Sequence, residues 1–341
     1  MKMKSIIFYN ALVILVLLAG LELCLFLLLK HPGAAAAAHM DLLMKSIHVG
    51  HMNEIQNTEC SRYDDKLFYT LRPGVCKFDS DAFSAIFSNY VKINSKGLRD
   101  EEDRLESPEI IVLGDSHAMG WGVNQEETFA KQLEKLSNKK TLNAGISSYG
   151  TAREVMLLSR LDQSKMKYLI VQYCANDLNE NVQYVNNGGK INVSAEIERY
   201  TAYLINKERV QYYPFRLVYQ LAFTLRQFLG SYSATPNAPP DDAAIQSHVN
   251  YLVKTLEMSG ADFNGVRLIV FPIMENARDS RRFVDALREM ARQAGLPWLK
   301  DMCIVDPSFL FVDGYALPYE SHFNAAGHAA LAAELAGCVK Q

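Results

Sequence analysis

The sequence predicts an α/β fold, a three-layer α/β/α sandwich around a central, mostly parallel sheet, preceded by an N-terminal transmembrane helix. Short apolar runs recur at 110–113, 141–146, 168–173, 266–273 and, more weakly, 303–305, with helical patterns between them. Such alternation of strand and helix builds a parallel sheet covered on both faces. A separate run, residues 6–29, is almost entirely apolar; at about 1.5 Å rise per residue it covers a hydrocarbon core of roughly 30 Å. The chain has 341 residues and a formal charge of −3, enough for one sizeable core plus insertions. It has no long basic stretch, which excludes an electrostatic footprint for nucleic acid.

Taken in order, Lys2 and Lys4 precede the apolar run. Positive charge on short flanks stays cytoplasmic, so a single-pass anchor over residues 1–31 leaves the rest of the chain periplasmic or extracellular. A cleaved signal peptide is the competing reading, since Ala34 to Ala38 are small, but a signal's apolar region is usually only about 7–15 residues long. Glu22 interrupts the run, and a carboxylate there tends to face a partner helix or lie near the membrane surface. Residues 32–40 read as a tether without fold. Residues 41–109, with aromatic-containing runs at 66–71 and 83–93, read as an irregular extension packed on the main domain, with a turn at Asn94-Ser95-Lys96-Gly97.

The main domain occupies 110–341. Its first strand ends at Gly114, and Phe129, Leu133 and Leu136 follow at helical spacing. Thr151-Ala152-Arg153-Glu154 has the capping-box arrangement that opens a helix, here expected over 151–161. Helical patterns follow at 244–258 and 281–294, and a last helix is expected from about Asn324 to Ala336. Between the third strand and the next helix, residues 181–241 are rich in Tyr, Phe and Asn and contain Pro236, Pro239 and Pro240. This insertion is either a lid or substrate platform or an aromatic helical pair packed on the core. Of the six cysteines, Cys60 with Cys76 and Cys303 with Cys338 are the candidate disulfides in an oxidising compartment. No Cys/His cluster has zinc-site spacing, so neither a metal nor a cofactor is expected.

Ester chemistry needs a nucleophile at the end of a rigid strand, a base to take its proton, and donors aimed at the developing oxyanion. Gly114-Asp115-Ser116-His117 stands directly after the first apolar strand, with Ser116 placed to be that nucleophile. Asn176 follows the third strand, where a carboxamide can point at an oxyanion over the same sheet edge. The loop Asn143-Ala144-Gly145-Ile146-Ser147-Ser148-Tyr149-Gly150 can offer a backbone N–H. Near the end of the chain, Glu320-Ser321-His322 puts a histidine two residues after a carboxylate, a base and its orienting acid. His117 reads as a turn residue contacting solvent, and His328 as a packing residue.

In these blocks and their order the chain resembles the SGNH (GDSL) hydrolase superfamily. The resemblance runs from Gly114 to His328 and implies a flavodoxin-like sandwich with Ser116 as nucleophile and His322 as base. It further implies an oxyanion hole of the Ser116 N–H, the Asn176 side chain and a backbone N–H. Three positions depart from the family pattern. The second-block glycine aligns with Ser148, with Gly145 and Gly150 as nearby alternatives; Cys174 stands where a glycine usually precedes the third-block Asn; and the acid is Glu320 instead of Asp, with Asp313 as the alternative. The implied activity is a serine esterase or O-acyltransferase working through an acyl-serine. A single anchor with such a domain outside the membrane is similar to bacterial glycan O-acetyltransferases, which implies an acylated envelope glycan as substrate and a membrane-embedded acyltransferase as partner. A catalytically silent glycan-binding or scaffold module and a lipase-like esterase are the alternatives.

Overall fold

The computed structural model describes residues 2–49, 52–80, 86–191, 213–231 and 241–339. At its centre is a five-stranded, wholly parallel sheet, built from β5 (Ile110–Leu113), β6 (Thr141–Asn143), β7 (Tyr168–Cys174), β8 (Arg267–Ile273) and β9 (Cys303–Ile304). Their spatial order is β6-β5-β7-β8-β9. The chain therefore leaves β5 to one side for β6 and returns to its other side for β7. That reversal makes the carboxyl end of β5 the topological switch point, where open α/β sheets place their ligands.

Alternation along the strands divides the core between two faces. Ile111, Leu113, Leu169, Val171, Leu268 and Val270 pack on one side against α6 (Thr151–Leu158), α9 (Asp242–Met258) and α10 (Ala277–Gln293). Ile110, Val112, Ile170, Ile269 and Phe271 point the other way, against α5 (Phe129–Ser137) and α12 (Ala325–Val339). All four residues of β5 are fully buried, as expected of a central strand covered on both faces. The three layers and the positions of all five expected strands thus agree with the sequence. The second strand is shorter than its apolar run, and past it the Ala144 N–H still donates to the Val112 carbonyl (2.8 Å) and the Ile146 N–H to the Gly114 carbonyl (3.0 Å) as the chain enters the loop beside Ser116.

Several local expectations are overturned. Gly150, not Thr151, is the N-cap of α6, and no side chain caps it. Thr151 instead donates its hydroxyl to Asp177 (2.7 Å), and Glu154 is buried with neither carboxyl oxygen hydrogen-bonded among the described residues. The extension is not irregular. β1 (Ser61–Asp64) pairs antiparallel with β2 (Phe68–Leu71), and β3 (Gly74–Asp79) with β4 (Ser88–Ile93). The turn at Asn94 forms as expected, closed by the Gly97 N–H to the Asn94 carbonyl (3.0 Å). Nor is the stretch after the apolar helix without fold. α1 (Lys2–Lys30) is followed by α2 (Pro32–Ala37) and α3 (Asp41–Val49), whose Ala35, Met44 and Ile47 are buried with Leu25 and Leu29 of α1. Both candidate disulfides, Cys60–Cys76 and Cys303–Cys338, are formed. Within the insertion, α7 (Asp177–Asn186) and α8 (Arg216–Ser231) are helical, and α8 packs on α1 and α3. About half of the insertion, residues 192–212 and 232–240, lies outside the described residues.

Candidate active site

β5 delivers Ser116 to the switch point through a turn that only glycine fits. Gly114 has φ +153°, and a Cβ there would lie 2.6 Å from both Ala118 Cβ and Gln172 Oε1. Gln172, buried on β7, accepts from the Asp115 N–H (2.9 Å), and the Asp115 side chain caps the next turn by accepting from the His117 N–H (2.9 Å). Ser116 opens the single-turn helix α4 (Ser116–Met119). Its own N–H, at the first helical position, has no intrahelical acceptor.

The hydroxyl of Ser116 lies 2.8 Å from His322 Nε2, and His322 Nδ1 lies 2.7 Å from Glu320 Oε2. Ser116, His322 and Glu320 are therefore brought together in one line, although the serine and histidine are 206 residues apart. Burial alone would raise the Glu320 carboxyl, but the hydrogen bond from His322 and the proximity of the His322 and His48 rings outweigh it and hold Glu320 down to about 2. Glu320 is thus a carboxylate at neutral pH, fixing the ring with Nδ1 protonated and Nε2 free to accept the serine proton. The ring is also held by packing, stacked on Trp121 (centroids 5.1 Å apart, 22° between planes) and tilted against His117 (4.7 Å). Asp313, the alternative acid, lies in the turn Asp313–Tyr315, and its side chain is outside the described residues.

Of the three candidates for the loop donor, two have their N–H groups engaged. Gly145 donates to Asn143 Oδ1 (3.0 Å) and Gly150 to Glu180 Oε2 (3.2 Å). Gly145 serves packing instead, since a Cβ there would lie 2.5 Å from the Met119 nitrogen. Ser148 takes the left-handed conformation, φ +60°, inside a turn closed by the Tyr149 N–H to the Ile146 carbonyl (3.1 Å). This is the backbone a glycine would favour. Its hydroxyl accepts from Gln56 Nε2 (2.8 Å) and its carbonyl from Arg153 (2.7 Å), while its N–H makes no hydrogen bond among the described residues. Asn176 is exposed at the N-terminus of α7 without a side-chain capping bond. It lines, with His117, Ser321 and Phe323, a cavity of about 580 Å³ at this edge of the sheet. A larger cavity of about 960 Å³, by Phe263, Arg267 and Trp298, lies at the opposite end of β8.

Several supporting residues carry no signal in the sequence pattern. Arg99, buried in the extension, donates to the carbonyls of Met119 (3.2 Å), Gly120 and Val123 (2.6 Å), gripping the chain as it leaves α4. Asp100 accepts from the Asn143 N–H (2.8 Å) and pairs with Lys131 (2.8 Å), fixing β6. His117, expected at solvent, is buried, and that burial, followed by the neighbouring His322 and His328, pushes it well below the usual histidine range. It faces His322 as a neutral ring. His328 is the buried packing histidine expected of it, accepting from the Phe129 N–H (3.1 Å) and pushed by burial down to about 3. Behind Ser116, Asp115, Glu154 and Asp177 are all raised from the usual carboxyl range, first by burial and then by neighbouring charge, that of Asp177 and Asp115 for Glu154 and that of Asp115 for Asp177. Among the described residues no group of His, Cys, Asp and Glu is arranged to hold a metal ion.

No protein-family model and no curated protein matches the chain. Among solved structures, similarity is found to a protein from Desulfitobacterium hafniense described as lipolytic and of the G-D-S-L family, at 12% identity and TM-score 0.38, covering 67% of this chain and 98% of that one. A carbohydrate esterase of family 2 from Corynascus thermopiles (Myceliophthora fergusii) aligns at 13% identity and TM-score 0.38, covering 67% and 64%. The lipase Lip_vut3 from a goat rumen metagenome aligns at 16% identity and TM-score 0.35, covering 67% and 96%. Similarities this low carry no argument about activity, which rests on the geometry of Ser116, His322 and Glu320.

Proposed function

We propose that the chain is a serine-dependent ester hydrolase or O-acyltransferase of the SGNH type. The observation that carries this reading is the relay from Ser116 to His322 to Glu320, at 2.8 and 2.7 Å, standing at the switch point of a parallel sheet. His322 takes the Ser116 proton as the hydroxyl attacks an ester carbonyl. The resulting oxyanion is met by the N–H groups of Ser116 and Ser148 and by the Asn176 carboxamide. His322 then returns the proton to the leaving alcohol, and an acyl-serine remains. Transfer of that acyl group to water completes a hydrolase; transfer to a sugar hydroxyl completes a transferase.

Residues 6–29 anchor the protein with its N-terminus in the cytoplasm and the catalytic domain outside. The apolar helix and the basic residues Lys2 and Lys4 support this topology, as do two disulfides, which persist in oxidising compartments. An anchored site of this kind suits an acyl, in particular acetyl, ester of an envelope glycan, handled beside a membrane-embedded acyltransferase. The test uses the full chain in detergent, treated with a fluorophosphonate or an activated acetyl ester and read by mass spectrometry. An adduct on Ser116 that is absent from Ser116→Ala supports the reading. A folded protein that takes no adduct points to the silent glycan-binding module. Supplying acetylated glycan, unacetylated glycan or lipid esters then separates esterase, transferase and lipase-like activity.

A further inference from the structure

The acid of the relay has a second oxygen that the Ser116–His322–Glu320 line does not use. Glu320 Oε1 is buried and has no hydrogen-bond partner among the described residues. Facing it at 3.6 Å is Nε2 of His48, whose side chain is fully buried and whose two ring nitrogens also lack hydrogen bonds there. The gap is about 0.7 Å longer than an ordinary N–H···O contact of ~2.9 Å. Leaving both groups unpaired is unfavourable in a dry site, since each has lost its water. His48 sits on α3, the helix that follows the apolar α1 and buries Met44 and Ile47 against its last turns. The loop carrying Glu320 is tied to the same place, because the Tyr319 hydroxyl donates to the Leu28 carbonyl of α1 (2.9 Å).

We propose that His48 is a positioning residue of this active site, donating Nε2–H to Glu320 Oε1 so that Oε2 is held toward His322. The inference rests on the serine-hydrolase reading above and deepens it. A carboxylate bound through one oxygen can rotate about its last torsion; one bound through both cannot, and its orientation fixes the imidazole that Ser116 needs. Glu carries one methylene more than the Asp usual at this position in the resembled family, so it has one more torsion to fix. The consequence is that α3 belongs to the catalytic apparatus. A chain released from the membrane by cleavage after residue 48 keeps Ser116, His322 and Glu320 but loses the donor that orients them.

The test compares full-length wild type, His48→Ala and His48→Gln in detergent, using p-nitrophenyl acetate turnover and the rate of fluorophosphonate adduct formation on Ser116. Loss of one hydrogen bond to a charged group predicts that His48→Ala lowers kcat by about 10-fold or more with KM nearly unchanged. Gln, whose amide N–H can reach the place of Nε2–H, should restore kcat to within about 3-fold of wild type. Equal rates in all three overturn the proposal. So does an equal loss in both variants accompanied by a lowered melting temperature, which marks His48 as packing only. A readout independent of activity is the ¹⁵N spectrum of histidine-labelled protein. His48 should show a protonated Nε2 whose resonance moves in Glu320→Gln, and an unmoved resonance overturns the contact. If wild type takes no adduct at all, the serine-hydrolase reading falls, while the spectrum still decides whether His48 holds Glu320.

Discussion

In the proposed mechanism Ser116, His322 and Glu320 divide the work so that each substitution has a different signature. Ser116→Ala removes the nucleophile and should abolish adduct formation. Glu320→Gln keeps the shape but presents an amide that no longer favours the Nδ1–H tautomer, and by analogy with other triads kcat should fall on the order of 10⁴-fold. Asn176→Ala deletes one proposed oxyanion donor and should cost about 10²–10³ in kcat with little change in KM, measured on the same ester. Ser148 separates backbone from side chain. Ser148→Gly keeps the N–H and suits φ +60°, so kcat should stay within about 3-fold of wild type, since Gly populates that region freely; an Asn176-sized loss would remove Ser148 from the oxyanion hole. The meeting of Ser116, His322 and Glu320 was legible in the sequence because each follows a strand or sits in a short spaced motif. The loop donor was not. Ser148, Gly145 and Gly150 differ in whether their N–H groups are already bonded, and residue type does not encode that. Arg99 and His117 were equally hidden, because their roles depend on carbonyls and rings brought close by the tertiary fold.

At the scale of elements, the strands were readable because burial on both faces demands continuous apolar runs, and the register of the parallel ladder places those runs side by side. The start of α6 shows how a local signature fails. Thr151 and Glu154 have the capping-box spacing, yet both are turned into the core, where Thr151 bonds Asp177 and Glu154 lies against other carboxyls. Tertiary partners on α7 outcompeted the local cap, and no pattern within α6 announces them. Burial and the charges of Asp177, Asp115 and Glu180, only partly offset by Arg153, keep Glu154 protonated well above its usual range. The folded chain therefore retains this proton after the unfolded chain, titrating near 4.5, has lost it. Stability contributed by the protonated form is present below that unfolded value and declines as pH rises toward the folded one. Glu154→Gln mimics the protonated group and does not ionise. Its melting temperature should exceed wild type by several degrees at pH 8, with the difference shrinking at pH 5. A gap that is independent of pH would mean that Glu154 does not titrate in the unfolding equilibrium.

For the whole molecule, the apolar helix packs directly against the domain that carries Ser116. From Met3 to Leu21 nearly every side chain is exposed, whereas Glu22, Leu25 and Leu29 form a buried stripe at helical spacing. That stripe meets Met44, Ile47 and Leu217, so the last turns of α1 are also a wall of the domain. Glu22, the residue that interrupts the apolar run, finds its partner within the chain: its carboxylate accepts from the N–H groups of Leu217 (3.1 Å) and Val218 (2.9 Å) in the first turn of α8. A carboxylate and a free helix N-terminus are each costly near hydrocarbon, and here each satisfies the other. The sequence showed the anomalous Glu22 but not its partner, which lies about 195 positions away. Glu22→Leu removes both acceptors and should destabilise the start of α8 by about 1–3 kcal/mol, an opening that is local because most of the sheet core lies elsewhere. Hydrogen exchange in detergent should show the amides of Leu217 and Val218 exchanging about 10–100-fold faster, with those of β5 and β7 unchanged. Unchanged exchange at Leu217 and Val218 would mean that α8 is held by its apolar packing alone. Faster exchange that spreads into β5 would mean instead that α1 and the sheet core unfold as one unit.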